Sequence, residues 1–171
     1  MSDFQGEIQS QRGPLKNLLS KVPGFKGYLE KEDRRTADKM MREAVADRYA
    51  KVLDQLTAIQ TDMTDQGMLE YVDDLESVVT KVQTFVDRVR HASYGYSSFF
   101  SAVKIGTDTL DRLYEYDQAL LKGADQMEEV LLSLESAESE PDVEALLEEL
   151  DQLARDLLHQ FDSRKEVITS Q

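Results

Sequence analysis

The stretch MLEYVDDLESVVTKVQTFVDRV, Met68 to Val89, carries an apolar residue every three or four positions. Met68, Val72, Leu75, Val79, Val82, Val86 and Val89 alternate by four and three, which is the period of a helix buried along one side. Tyr71, Val78 and Phe85 widen that stripe. A stripe so wide faces more than one partner helix. No strand-like alternation interrupts it, so this segment predicts an all-α fold and a helix over 66–92.

The same spacing continues on both sides. Upstream, Val45, Tyr49, Val52, Leu56, Ile59 and Met63 repeat 4-3-4-3-4, with Met41 and Ala44 ahead of them. Opposite charges four apart (Glu30/Arg34, Asp38/Arg42, Lys39/Glu43, Asp47/Lys51) support one continuous helix over 29–63. Gly67 marks the turn between the two. Downstream, a third helix is expected over 108–137, capped by Thr107 or Asp108. Its stripe is Leu110, Leu113, Asp117, Leu120, Ala124, Met127, Leu131 and Leu134. A fourth is expected over 140–168. Pro141 fits a first helical turn, where its missing N–H costs nothing. Its stripe is Val143, Leu147, Leu150, Ala154, Leu157 and Phe161, flanked by Leu146, Leu153 and Leu158. Short turns near Gly67 and Glu138 make two antiparallel hairpins. The expected architecture is an elongated antiparallel four-helix bundle, 29–171, behind a short N-terminal amphipathic helix within 1–28. Its rival is a pair of hairpins that assemble between two chains as a homodimer.

Composition limits the function. The chain has 171 residues, no Cys and only two His. Disulfides, thiolate metal sites and cysteine nucleophiles are excluded. The formal net charge of −14 argues against a nucleic-acid footprint, which needs a basic face. Leu, Ile, Val and Phe number 44, enough for a core. No apolar run approaches the ~18 residues of a membrane span. The N-terminus lacks a signal-peptide apolar core, so a cytoplasmic protein is expected. The charge is uneven along the chain. Residues 1–60 hold 11 basic and 9 acidic groups, and residues 61–171 hold 9 and 25.

Two segments are the candidate binding elements. In the first, Leu15, Leu18, Leu19 and Val22 recur at i, i+3, i+4 and i+7, accompanied by Lys16 and Lys21. From Arg12 to Lys26 there are four basic residues and no acidic one. Phe25, Lys26 and Tyr28 follow in PGFKGY. This pattern suits docking on an anionic membrane surface or in a partner's groove. The plainer reading is a small helix lying over the end of the bundle. The second segment is the crossover 93–107, where Tyr94, Tyr96, Phe99 and Phe100 fall within seven residues. These rings could anchor a protein partner or cap the open end of the core.

Other polar motifs are weaker. Asp117 is an acid in an apolar seam beside Tyr114 and Tyr116: buried, it needs a Tyr hydroxyl or a basic residue as partner and would fix register, whereas a slight helix rotation would leave it wet. Asp156-Leu157-Leu158-His159 has the acid-x-x-His spacing of bundle di-iron sites, which need two such pairs and two further Glu. His91 supplies no second pair, so no metal and no cofactor are expected. Ser101-Ala102-Val103-Lys104 matches a serine–lysine spacing without its supporting motifs. The acidic run over 106–162 (17 acidic, 3 basic) reads as a solvated face or as a surface for a basic partner.

The segments Pro23-Gly24-Phe25-Lys26-Gly27-Tyr28 and Tyr94-Gly95-Tyr96-Ser97-Ser98-Phe99-Phe100 resemble segments of a family of uncharacterised bacterial all-helical proteins. That resemblance spans most of the chain and implies a helical fold; with no established activity in the family, it lends no catalytic residues. The layout, an amphipathic N-terminal segment ahead of a long hairpin, is also similar to that of phage-shock-type membrane scaffolds. The expected function is a non-enzymatic protein–protein interaction or scaffolding role. The alternative is a peripheral membrane protein using residues 12–28.

Overall fold

The structure is a computed structural model that describes residues 34–92 and 107–169. Those residues form four helices: α1 (Arg34–Asp65), α2 (Leu69–His91), α3 (Thr107–Glu135) and α4 (Glu140–Thr169). No strand occurs among the described residues. At ~1.5 Å per residue, α1 runs about 48 Å. The fold is all-α, as the periodicity implies. The N-terminal segment 1–28, most of the aromatic crossover and residues 29–33 of the first expected helix lie outside the described residues.

Helix ends differ from expectation by a few residues, for local reasons. The second helix starts at Leu69 rather than 66, because Gln66, Gly67 and Met68 form the turn. Gly67 takes φ +77°, a conformation that L side chains resist. The Met68 N–H donates to the Met63 carbonyl (2.9 Å) and the Gly67 N–H to the Thr64 carbonyl (3.1 Å). These paired bonds satisfy the carbonyls left free at the end of α1. The third helix already includes Thr107 and stops at Glu135, before Ser136 and Ala137 tighten into the second turn. The α4 start is as expected. The Ser139 Oγ accepts the Asp142 N–H (3.4 Å), and Glu140 and Asp142 sit at the positive end of the helix dipole.

The hairpins pack as a four-membered ring in which α1 touches α2 and α3, and α4 touches α2 and α3. Thus α2 and α3, consecutive in the chain, sit on a diagonal. Polar contacts give the directions. Between α1 and α2, Gln60 meets Glu76 and Asp47 meets Arg90, an antiparallel pairing. Between α2 and α4, Lys81 meets Asp151 and Arg88 meets Asp162, a parallel pairing. Both tight turns therefore lie at one end of the bundle. The start of α1, the end of α2, the start of α3 and the end of α4 lie at the other, the open end.

The core follows the expected stripes in α1 and α4. Val45, Tyr49, Val52, Leu56, Ile59 and Met63 are buried, as are Val143, Leu147, Leu150, Ala154, Leu157 and Phe161. In α2 the seam is turned from expectation. Tyr71, Leu75, Val78, Val82, Phe85, Val86 and Val89 are buried, whereas Met68, Val72 and Val79 are only partly so. The reason is that α2 has two neighbours. Val72 and Val79 share the helix face of Glu76, which reaches Gln60 on α1, while Lys81 and Arg88 reach α4. The line between those faces points inward and carries the rings. Phe85 meets Tyr49 edge-on at 4.8 Å and Phe161 at 5.6 Å, joining α1, α2 and α4 at one level.

Two polar expectations are corrected. Of the two arrangements open to Asp117 the buried, partnered one holds and the wet one does not: it is 4 % exposed, and it is not without a partner. Its seam position is genuine, so burial follows the stripe rather than a rotation of α3. Asp47 pairs across the hairpin with Arg90 (3.4 Å), whereas the sequence spacing had put it with Lys51 on its own helix. Lys39–Glu43, another of the expected pairs, does form, at 3.7 Å.

Candidate functional site

The polar side chains that cross between the hairpins form two clamps, one on each parallel helix pair. The first joins α1 to α3. Arg48 projects from α1, and its Nη2 donates to Glu128 Oε2 (2.7 Å) and Asp125 Oδ1 (2.8 Å). Its Nη1 donates to Glu128 Oε1, so the guanidinium grips that carboxylate with both arms. These hydrogen bonds, Glu128 first, raise the Arg48 pKa despite its partial burial.

Tyr49, the next residue, turns inward. Its hydroxyl donates to the Leu120 carbonyl (2.7 Å). The approach is possible because residue 123 is glycine. A Cβ there would stand 2.7 Å from the Tyr49 Oη. Burial, aided by the nearby Asp125 charge, pushes the Tyr49 phenol well above its ordinary value.

The second clamp joins α2 to α4. Lys81 Nζ donates to Asp151 Oδ1 (2.7 Å) and to Ser77 Oγ (2.6 Å). Arg155 holds the other oxygen of Asp151 at 2.9 Å. The clamps are structural in chemistry. Each basic group is matched by carboxylates, and the contacts of Arg48 with Glu128 and Asp125 and of Lys81 with Asp151 tie one hairpin to the other.

Their positions divide the molecule. Past Lys51 and Lys81, toward the turns, lie residues 52–80 and 123–150. These hold 17 Asp or Glu and no Lys or Arg. The remaining described residues hold 14 Lys or Arg and 12 Asp or Glu. Two large apolar side chains stand exposed at the acidic end, Leu69 at 63 % and Leu132 at 64 %. This end is the candidate site. Its charge is an outcome of topology, because segments about 70 residues apart in the chain meet there.

Leu15, Lys16, Leu18, Leu19, Lys21, Val22, Phe25, Lys26 and Tyr28 lie outside the described residues, as do Tyr94, Tyr96, Phe99, Phe100 and the Ser101/Lys104 pair. The acid-x-x-His pair is exposed on α4. Asp156 accepts a hydrogen bond from Gln152 (2.9 Å), and His159 Nδ1 lies 3.3 Å from Ser163 Oγ. His91 Nδ1 lies 2.7 Å from the Asp87 carbonyl oxygen. Among the described residues no group of three His, Asp or Glu is placed to hold a metal ion. The clamps themselves escaped the sequence reading. One signal was present: a glycine inside a long helix costs about 1 kcal/mol against alanine, so Gly123 marks a close approach.

Compared with known proteins, the chain matches no family model, no curated protein and no solved structure.

Proposed function

We propose that this chain is a non-enzymatic interaction or scaffolding protein, and that its acidic turn end receives a basic segment of a protein partner. The observation that supports this is the 17 carboxylates without one basic side chain, gathered at the end where both turns lie. Such a surface attracts a basic partner over a Debye length of about 8–10 Å and speeds encounter. Leu69 and Leu132 supply short-range apolar contact once the partner arrives. The bundle serves as a rigid mount, with its polar interior contacts committed to holding the hairpins together.

The test compares the native chain with a variant carrying Glu138→Gln, Glu140→Gln and Glu144→Gln, all exposed positions near the second turn. Each is used as bait in an extract of the host, and a captured protein is then purified and titrated directly. A partner released by 0.5 M salt and bound at least tenfold more weakly by the variant supports the proposal. Equal affinity for both overturns it. So does turnover of a substrate that is lost on His159→Ala or Asp117→Asn.

A further inference from the structure

We infer that the acidic end reads its basic partner at one defined point, where the Tyr71 hydroxyl and the carboxylates of Glu70, Glu140 and Glu144 receive a Lys or Arg side chain. The inference deepens the reading above and rests on it: it names the group that is recognised and the residues that recognise it.

Helix register brings these residues together. α2 and α4 run parallel, and their facing side chains (Lys81–Asp151, Ser77–Asp151, Arg88–Asp162) differ by 70 to 74 positions. That offset sets Tyr71 level with residues 141–145, at Glu144 and next to Glu140, while Glu70 adjoins it on α2. The three carboxylates are exposed, and Tyr71 is only 6 % exposed. Burial pushes its phenol above the ordinary value, and the charges of Glu70, Glu140 and Glu144 push it further. The hydroxyl therefore faces the cluster.

The hydroxyl itself is the second observation. Buried polar groups are as a rule hydrogen-bonded. Tyr49 obeys, donating to the Leu120 carbonyl. Among the described residues none is hydrogen-bonded to the Tyr71 hydroxyl. Phenylalanine would pack the same ring, so the oxygen has no structural task there.

Charge selects the ligand. The N-termini of α2 and α4 lie side by side here, each worth about +0.5 charge, and three carboxylates exceed that by about two negative charges. No Lys or Arg occurs in residues 52–80 or 123–150. The nearest on these two helices, Lys81 and Arg155, are held by Asp151. Lys81 stands about 15 Å from Tyr71 along α2, beyond a Debye length. Ionised carboxylates only accept hydrogen bonds, and a phenol oxygen accepts as well. Among the described residues no group of three His, Asp or Glu is placed to hold a metal ion. A cation rich in N–H donors is the match: an ammonium carries three and a guanidinium five.

Tyrosine labelled with carbon-13 at Cζ reports on the site directly. The native full-length chain is compared with Tyr71→Phe, which also assigns the resonance, and with Glu140→Gln/Glu144→Gln. Asp62→Asn/Asp65→Asn is the control, removing the same charge from exposed positions of α1 at the same end. Each is titrated with blocked pentalysine and pentaarginine peptides at about 150 mM salt, where long-range attraction is screened.

The expected result is saturable binding of one or both peptides that moves the Tyr71 resonance. Tyr71→Phe should bind about three- to tenfold more weakly, the Glu pair at least tenfold more weakly, and the Asp pair within about threefold of native. Equal losses from the two acidic pairs, a Tyr71 resonance that stays still during binding, or full binding by Tyr71→Phe would overturn the site and leave the acidic end as a diffuse receptor. Absence of binding by both peptides would also overturn it. The broader reading fails separately, on a native partner's indifference to the Glu138/Glu140/Glu144 variant. Thermal unfolding of each variant checks that the bundle is intact.

Discussion

Tyr49 and Gly123 are a matched pair, and neither makes sense alone. The Tyr49 hydroxyl reaches the Leu120 carbonyl because glycine leaves room above α3. Gly123→Ala gains about 1 kcal/mol of helix propensity. It also sets a Cβ against an oxygen at 2.7 Å in a packed interior, which costs roughly 1–3 kcal/mol. The net expectation is destabilisation in urea unfolding. In a Tyr49→Phe background the clash is gone, and Gly123→Ala should become neutral or stabilising. A cycle showing additive costs would rule out the pairing. Tyr49 also makes a pH prediction. Its folded pKa is raised above the unfolded value near 10.0, so the native state keeps its proton while the unfolded chain loses it. This contribution is intact below pH 10 and falls as pH rises above it. Tyr49→Phe should flatten the alkaline loss of stability between about pH 10 and 12. An unchanged alkaline limb would place the loss elsewhere.

At the scale of elements, the four stripes were legible because a helix packed on its neighbours must repeat every three or four residues. The ends were less so. Gly67 shows why. Its φ of +77° closes α1 and releases Met68 from helix to turn, a local event that apolar spacing does not record. Gly67→Ala should cost about 1–2 kcal/mol, the price of a left-handed conformation for an L residue. No steric penalty adds to it, since nothing lies within 4 Å of the added Cβ. Gly67→Asn should recover much of that loss. Thermal unfolding of the two variants measures the difference, and an Ala variant as stable as native would contradict it. The turned seam of α2 was illegible for a different reason. Two overlapping 4-3 rows, one through Val72 and Val79 and one through Tyr71, Val78 and Phe85, satisfy the same period. Only the presence of both α1 and α4 as neighbours selects the second.

At the scale of the whole molecule, charge separates along the axis. The carboxylates of the turn half repel one another, and Arg48 reaches across to Asp125 and Glu128. Raising salt from 20 to 500 mM should therefore raise the thermal midpoint by relieving that repulsion. Each 1 kcal/mol relieved corresponds to about 2–4 °C for a chain of this size. A falling midpoint would mean that the clamps and surface ion pairs outweigh the repulsion. The sequence division at residue 60 misses this pattern. It separates a near-neutral head from an acidic body, whereas in space residues 61–80 join residues 123–150 at one end.

The amino-acid sequence by itself determined the helices, the buried stripes of α1 and α4, the turn at Gly67 and the total charge. These are local or additive properties, set by spacing along one chain and by composition. The tertiary structure decided the diagonal placement of α2 and α3, the parallel pairs, the clamps through Arg48 and Lys81, and the acidic end. Each depends on which of several equivalent faces meet across some 70 residues of chain, and helical period is silent about that choice.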